Sequence, residues 1–319
     1  MFNQSNMMKI PPYLKKGSTI GITCPAGYME LAKVQTCILT LQSWGYEVML
    51  GKTVGSKSPT YFSGTDEERL HEMQAMLDDP NIHAILCGRG GYGVSRIIDQ
   101  LNFTQFKKHP KWIIGFSDIT VLLAHINRQF NIASLHAPMA NAFNAAAIKK
   151  GSKNLIEKPS VQSLKKALKG VKTNYISPSY TFNKLGKCSG ELVGGNLALI
   201  AHLSGTASAY NTKGKILFIE DIGEYIYNID RMMIQLKRSG MLSKLSGLIV
   251  GKFSDTKDNT RPFGQTITEL ILAHTAEFDY PICFDFPVSH EEDNYALKVG
   301  VVHQLHITAK KVKLKEKVS

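Results

Sequence analysis

The chain has 319 residues, 43% of them hydrophobic and 20% charged, with no biased low-complexity tract, so it can hold two ordinary domains and bury a sizeable core without staples. Five cysteines (Cys24, Cys37, Cys87, Cys188, Cys283), odd in number and without a C-x-x-C pair, argue against a disulfide scaffold or a zinc ribbon and suit a reducing compartment. The formal charge of +12 is spread along the sequence, densest in the tail AKKVKLKEKVS, and fits a small anionic substrate as well as a polyanion.

The segment before Pro11-Pro12 lacks the apolar core of a signal peptide. No stretch reaches the roughly 18 apolar residues that cross a bilayer. The expectation is a cytoplasmic protein with no membrane segment. STIGITCPA reads as a buried strand ending at Pro25 and Gly27. MELAKVQTCILTLQSWG follows as a helix, with Leu31, Val34, Ile38 and Leu41 three and four apart and Gly45 as its stop. YEVMLG is the next strand. GTDEERLHEMQAMLDDP is a helix opened by a T-x-x-E capping box, Thr65 and Glu68, with Leu70, Met73 and Leu77 on its apolar face. IHAILCGRGGYG is a strand running into glycines, VSRIIDQL a helix, KWIIGF a strand, SDITVLLAHINRQF a helix and IASLHAPM another strand. Strands alternating with helices predict a parallel sheet with helices on both faces, whose ligands bind beyond the carboxyl ends of the strands. CPAG, GRGGYG and GFSD all fall there.

From Ala145 to Phe182 the pattern weakens into one polar, basic helix and the β-like connector NYISPSY. Residues 1–150 are therefore expected as an α/β domain, 151–182 as a linker and 183–319 as a smaller β-rich domain. In the last of these, GELVGGNLALIAHLSGT gives a strand, a Gly-Gly turn and a helix. KILFIEDIGEYIYNIDRMMIQLKRSGML gives a strand, a polar loop and an amphipathic helix. LSGLIVGKF and PICFDFPVSH are strands, and YALKVGVVHQLHITAKKVKLK is closing β-structure.

Three segments could carry chemistry. The glycines of Gly88 to Gly93 let backbone approach a ligand and aim N–H groups at an anion, but no Gly-Lys-Ser/Thr follows and no dinucleotide pattern is complete. Ser117, where KWIIGF meets the next helix, is either an ordinary helix cap or a nucleophile on a strand-to-helix elbow. Only half of G-x-S-x-G is present, because Ile119 stands at the second glycine. A serine needs a base and an orienting acid. Among ten histidines, His83 and His125 lie inside a strand and a helix, and His303 and His306 lie on late strands. His136 ends a strand, and His290 is best placed, ending an apolar strand before the polar loop EEDN. Glu220-Asp221 ends the run LFIED, and carboxylates at a buried strand end need partners. Surface-loop roles for His290 and the acidic pair remain open on these grounds, as does Cys87 as a thiol nucleophile. There is no H-E-x-x-H, and neither metal nor cofactor is expected.

CPAG, GRGGYG, GFSDIT, GGNLALIAHLSGT, LFIEDIGEYIYNIDRMM and FPVSH, in this order from about Gly17 to Thr308, resemble the LD-carboxypeptidases. That family of serine peptidases includes murein tetrapeptide carboxypeptidases and microcin C immunity peptidases. The resemblance implies a Ser-Glu-His triad of Ser117, Glu220 and His290, with an oxyanion hole from the backbone N–H groups of Gly91 and Asp118. It implies a flavodoxin-like N-terminal sheet, a β-rich C-terminal domain, the triad split across the cleft between them, and a homodimer. The implied reaction releases terminal D-alanine from murein tetrapeptides. A microcin-type aminoacyl-nucleotide substrate is the alternative, disfavoured because Trp44 and Trp112 lie on no obvious loop. A non-catalytic module for cell-wall peptide or nucleic acid is a third reading. Arg89 and Arg231 are the expected anchors for a substrate carboxylate. Two departures from the family are Ser289, where many members have glycine before the histidine, and Phe116 in place of a common tyrosine.

Overall fold

The computed structural model describes residues 8–145 and 158–317. The first strands are β1 (Thr19–Thr23), β2 (Glu47–Leu50), β3 (Ile82–Cys87), β4 (Trp112–Gly115) and β5 (Ser134–His136), and they lie parallel in the order β5-β4-β3-β1-β2. The helices between them are α1 (Gln35–Ser43), α2 (Asp66–Asp78), α3 (Thr104–Lys108) and α4 (Thr120–Phe130). The order is that of a flavodoxin-like sheet, with its switch point between β1 and β3. Near-continuous burial of β1, β3 and β4 reflects helices on both faces. Ile20, Ile22, Ala84, Leu86, Trp112 and Ile114 face one side, and Ile85, Cys87 and Ile113 face the other with α2 and α4.

Two expected helices differ. The MELAKV stretch begins as a 3₁₀ turn, Leu31–Val34, and leaves Leu31 exposed. VSRIIDQL forms two 3₁₀ turns, Val94–Arg96 and Ile98–Gln100, whose first amide is drawn to the Asp118 carboxylate.

The span expected as a linker is built into both halves, apart from its start, which lies outside the described residues. Its helix α5 (Pro159–Leu168) buries Val161, Leu164, Ala167 and Leu168 against the first sheet on the α1 side. Its strand β6 (Asn174–Pro178) is the edge of a second sheet. That sheet adds β7 (Gly186–Asn196), β8 (Ile216–Ile222), β9 (Gly247–Ser254) and β10 (Ile282–Cys283), with helices α6 (Leu197–His202), α7 (Ile226–Arg238) and α8 (Ile267–Thr275) between them. A short strand, β11 (Leu297–Val299), returns to the first sheet and pairs antiparallel with β5, and β12 (Val302–Ile307) and β13 (Lys311–Glu316) then close the second. In the second sheet β7 to β10 are parallel, while β7, β12, β13 and β6 pair antiparallel.

The two sheets are locked where α4 meets β7. A Cβ on Gly194 would overlap the Phe218 carbonyl, and one on Gly195 would lie 2.5 Å from Thr120 Oγ1. Thr120 Oγ1 also accepts from the Asn196 amide at 3.2 Å. The Gly-Gly pair is thus a site of close approach inside a strand, not the expected turn. No helix of the described residues is long and apolar enough to cross a membrane.

Candidate active site

The end of β4 turns sharply. A Cβ on Gly115 would sit 2.9 Å from the Ile119 side chain, so only glycine lets the chain fold straight back into a 3₁₀ turn, Ser117–Ile119, and then α4. Ser117 takes φ +61°, one of four non-glycine residues in the left-handed region among the described residues. Such a conformation costs about 1–2 kcal/mol, and strain of this kind clusters at functional positions. No side-chain cap hydrogen bond is made at this turn. The geometry is a sharp strand-to-helix elbow with Ser117 inside the turn, whose N-cap is Phe116, so Ser117 is not the helix cap.

The glycine turn lies directly over the serine. A Cβ on Gly90 would fall 2.9 Å from Ser117 Cβ, 3.1 Å from Oγ and 3.3 Å from the Asp118 nitrogen. Gly91 follows with φ +97°. Three braces hold this turn. The Gly27 amide donates to the Gly90 carbonyl at 3.0 Å, tying in the CPAG loop. Arg69, fully buried, donates to the carbonyls of Pro25 (2.6 Å) and Gly93 (3.1 Å) and pairs with Asp66. Asp118 Oδ2 accepts from the Val94 amide at 2.9 Å. Burial pushes the Asp118 carboxyl up to about 6, against the pull of that hydrogen bond and of Arg69.

The other half of the site comes from the second sheet. Glu220 is fully buried near the end of β8, and its Oε2 is 2.6 Å from Nδ1 of His290, which stands 70 residues further on. His290 packs edge-on against Phe116, ring centroids 4.8 Å apart, so the imidazole touches the residue that precedes Ser117. Burial alone would lower the His290 pKa, but the hydrogen bond and charge of Glu220, with the charge of Asp221, outweigh it and hold it above its ordinary value. Its Nε2 is buried and meets no partner among the described residues. The acidic pair divides its work. Asp221 accepts from Asn196 Nδ2 (2.7 Å), the Ala198 amide (2.9 Å) and the Ile222 amide (2.8 Å), while Glu220 is left for the imidazole. Ser289, the residue before the histidine, is buried, accepts from the Glu291 amide (2.9 Å) and donates to the Asp293 carbonyl (3.1 Å), bracing the histidine loop.

Other candidates separate clearly. Cys87 is fully buried, and burial raises its thiol pKa far above neutrality, so it is no thiolate nucleophile. Arg89 is exposed in the glycine turn and donates to the Tyr28 carbonyl at 2.8 Å. Arg231 lies exposed on α7, its guanidinium 5.4 Å from the Tyr227 ring, and no contact among the described residues links it to Ser117 or His290. Tyr61 was missed by sequence reasoning. Its hydroxyl lies 2.5 Å from where a Gly91 Cβ would be and 3.7 Å from that of Gly27, which Arg89 Nε approaches at 3.8 Å, and it sits in the anonymous loop TYFSG before a capping box. Among the described residues no three His, Cys, Asp or Glu side chains gather as metal ligands.

The chain is similar to known proteins along most of its length. Residues 20–137 match the model of the LD-carboxypeptidase N-terminal domain, and residues 189–305 that of the LD-carboxypeptidase C-terminal domain. A Bacillus subtilis protein named "Probable murein peptide carboxypeptidase" is 33% identical over 97% of this chain and 95% of its own length. The microcin C7 self-immunity protein MccF of Escherichia coli is 28% identical over 99% of this chain and 98% of its own. Among solved structures, the muramoyltetrapeptide carboxypeptidase of Oxalobacter formigenes matches with a TM-score of 0.83 at 28% identity, covering 94% of this chain and 99% of that one. By these matches the chain belongs to the LD-carboxypeptidases and is a serine peptidase of that family.

Proposed function

We propose that the protein releases the terminal D-alanine of murein tetrapeptides by cutting the bond between an L-configured centre and D-alanine. The observation that carries this reading is the Glu220–His290 hydrogen bond packed against the residue before the strained Ser117. His290 Nε2 removes the Ser117 proton as Oγ attacks the carbonyl carbon, and the carbonyl π pair moves to oxygen. Nδ1–H of His290 donates to Glu220, which fixes the tautomer and stabilises the imidazolium. The amides of Gly91 and Asp118 receive the oxyanion, each contributing about 3 kcal/mol in sites of this kind. His290 returns its proton to the leaving amine as the C–N bond breaks. A water activated by the same imidazole then resolves the acyl-enzyme. In this reading the Ser117–His290 hydrogen bond forms when substrate binds, since Nε2 has no partner among the described residues without it.

Arg89, in the glycine turn that the Tyr61 hydroxyl also approaches, holds the terminal carboxylate of the leaving residue. The five cysteines are free thiols, which supports a reducing cytoplasm, and a homodimer is part of the same reading. A microcin-type substrate keeps one specific support. Tyr180 and Phe182 are exposed, and Tyr180 also packs near Phe284. Tyr180 and Phe284 line a cavity of about 390 Å³ with Glu291, the neighbour of His290, so an aromatic surface exists without tryptophan. Incubation with a disaccharide tetrapeptide and with a processed microcin, followed by mass spectrometry, separates the two. Loss of one alanine from the tetrapeptide is expected, and an unchanged tetrapeptide would sink the proposal.

A further inference from the structure

Behind the acid–imidazole pair lies a second set of buried polar groups that this mechanism does not use. His136 ends β5 beside the nucleophile strand, in register with Gly115, and is wholly buried. Its ring stands edge-on to Phe218, centroids 5.0 Å apart, and 5.8 Å from Phe116. Glu220 follows Phe218 by two residues on β8, and its charge acts on His136. Phe116 touches both His136 and His290. The ring of contacts closes on Glu220. Within it, both His136 nitrogens, both polar side-chain atoms of Asn294, whose side chain reaches the His136 ring, and Oε1 of Glu220 are buried and make no hydrogen bond of good geometry among the described residues.

Five orphaned polar atoms on three buried side chains would be expensive if each stood alone. They are complementary as a set. A carboxylate oxygen only accepts, a neutral imidazole donates at one nitrogen and accepts at the other, and an amide does both. The charged groups facing His136 are Glu220 and His290, and burial holds its own pKa down to about 4, so it is neutral at physiological pH.

We infer that His136 is a positioning residue for the catalytic carboxylate: its N–H is directed through one bridging water to Glu220 Oε1, and its second nitrogen accepts from the Asn294 amide. Glu220 is thereby held by both oxygens, Oε2 on His290 and Oε1 on the His136 relay. A carboxylate fixed at two points presents Oε2 in one orientation, which keeps Nε2 of His290 aimed at the serine. The inference rests on the assignment of Ser117, Glu220 and His290 as the triad.

Three measurements on the full-length protein test it. His136→Phe keeps a ring and removes both hydrogen bonds. We expect kcat for D-alanine release to fall about tenfold, the size of one hydrogen bond to a charged group expressed as a rate, with KM little changed. The acidic limb of the pH profile moves to higher pH, because a less satisfied Glu220 pulls harder on the imidazolium. His136→Gln, which restores a donor, recovers most of kcat and returns the limb. In the wild-type protein, imidazole nitrogen NMR shows His136 neutral, with one protonated and one bare nitrogen, down to pH about 5. A His136→Phe enzyme that folds with wild-type kcat and pH profile, or a His136 that titrates near 6.5, would overturn the inference. Ser117→Ala is the control: if it loses activity while His136→Phe does not, only the role of His136 fails. If Ser117→Ala stays active, the triad assignment itself fails.

Discussion

The two halves of the site are built on opposite principles. The serine half is local: Gly88–Gly93 and Gly115–Asp118 leave adjacent parallel strands, the Asp118 carboxylate ties one to the other, and a backbone bond and buried Arg69 brace the glycine turn. The acid–imidazole half is assembled over distance, with Glu220 on β8 and His290 on an irregular loop after β10 that contains Asp285 at φ +54°. One half is fixed by the covalent chain and short turns. The other depends on side-chain hydrogen bonds and on the docking of two sheets through Gly195 and Thr120. Changes to the first half should therefore block the reaction by geometry, and changes to the second should also move its pH dependence.

Glu220→Gln should produce the largest effect of this second kind, with kcat/KM falling by about 10³–10⁴-fold. Its pH profile gives the sign. His290 is held above its ordinary pKa, and under the proposed mechanism it acts neutral, so activity should be lost as pH falls through that raised value. Without the carboxylate the acidic limb should move to lower pH. Gly90→Ala attacks the local half. The added Cβ crowds both Ser117 Oγ and the Asp118 amide, and kcat should fall by about 10²-fold, the cost of losing one oxyanion donor, with no change in the limb. Arg89→Ala should raise KM about tenfold, as expected for one charge-assisted contact, while Arg231→Ala changes it less than about twofold.

Asp118→Asn gives the smallest kinetic effect and a diagnostic stability effect. The folded-state pKa of Asp118 lies near 6, above its ordinary value of 3.8, so its ionisation opposes folding. The stability present below the ordinary value is lost as pH rises through about 6. The amide does not ionise, so the variant should gain on the wild type by up to about 3 kcal/mol between pH 4 and 7. Denaturant midpoints across that range check this.

The same contrast explains what could be read from the sequence. The parallel sheet, the glycine turn and the elbow were legible because they are written in contiguous residues: apolar runs ended by glycine, and serine after Gly115-Phe116. The pairing of Glu220 with His290 came from resemblance, because no local pattern makes two groups 70 residues apart neighbours. Tyr61, Arg69 and the His136–Asn294 set carry no motif, and tertiary packing alone places them. The span from 151 to 182 read as a linker because its polar face dominates its composition. The buried face of α5, Val161, Leu164, Ala167 and Leu168, shows its role only once the first sheet is present to receive it. Gly194-Gly195 misled for a related reason, since glycines that admit a neighbouring strand look in sequence like glycines that turn the chain.

The most direct test of the whole account is the rate of D-alanine release from a murein tetrapeptide by Ser117→Ala, beside a wild-type enzyme of equal thermal stability. The account predicts a fall of at least about 10³-fold, the loss expected when a nucleophile is removed from a triad. A Ser117→Ala enzyme working within tenfold of wild type would contradict it.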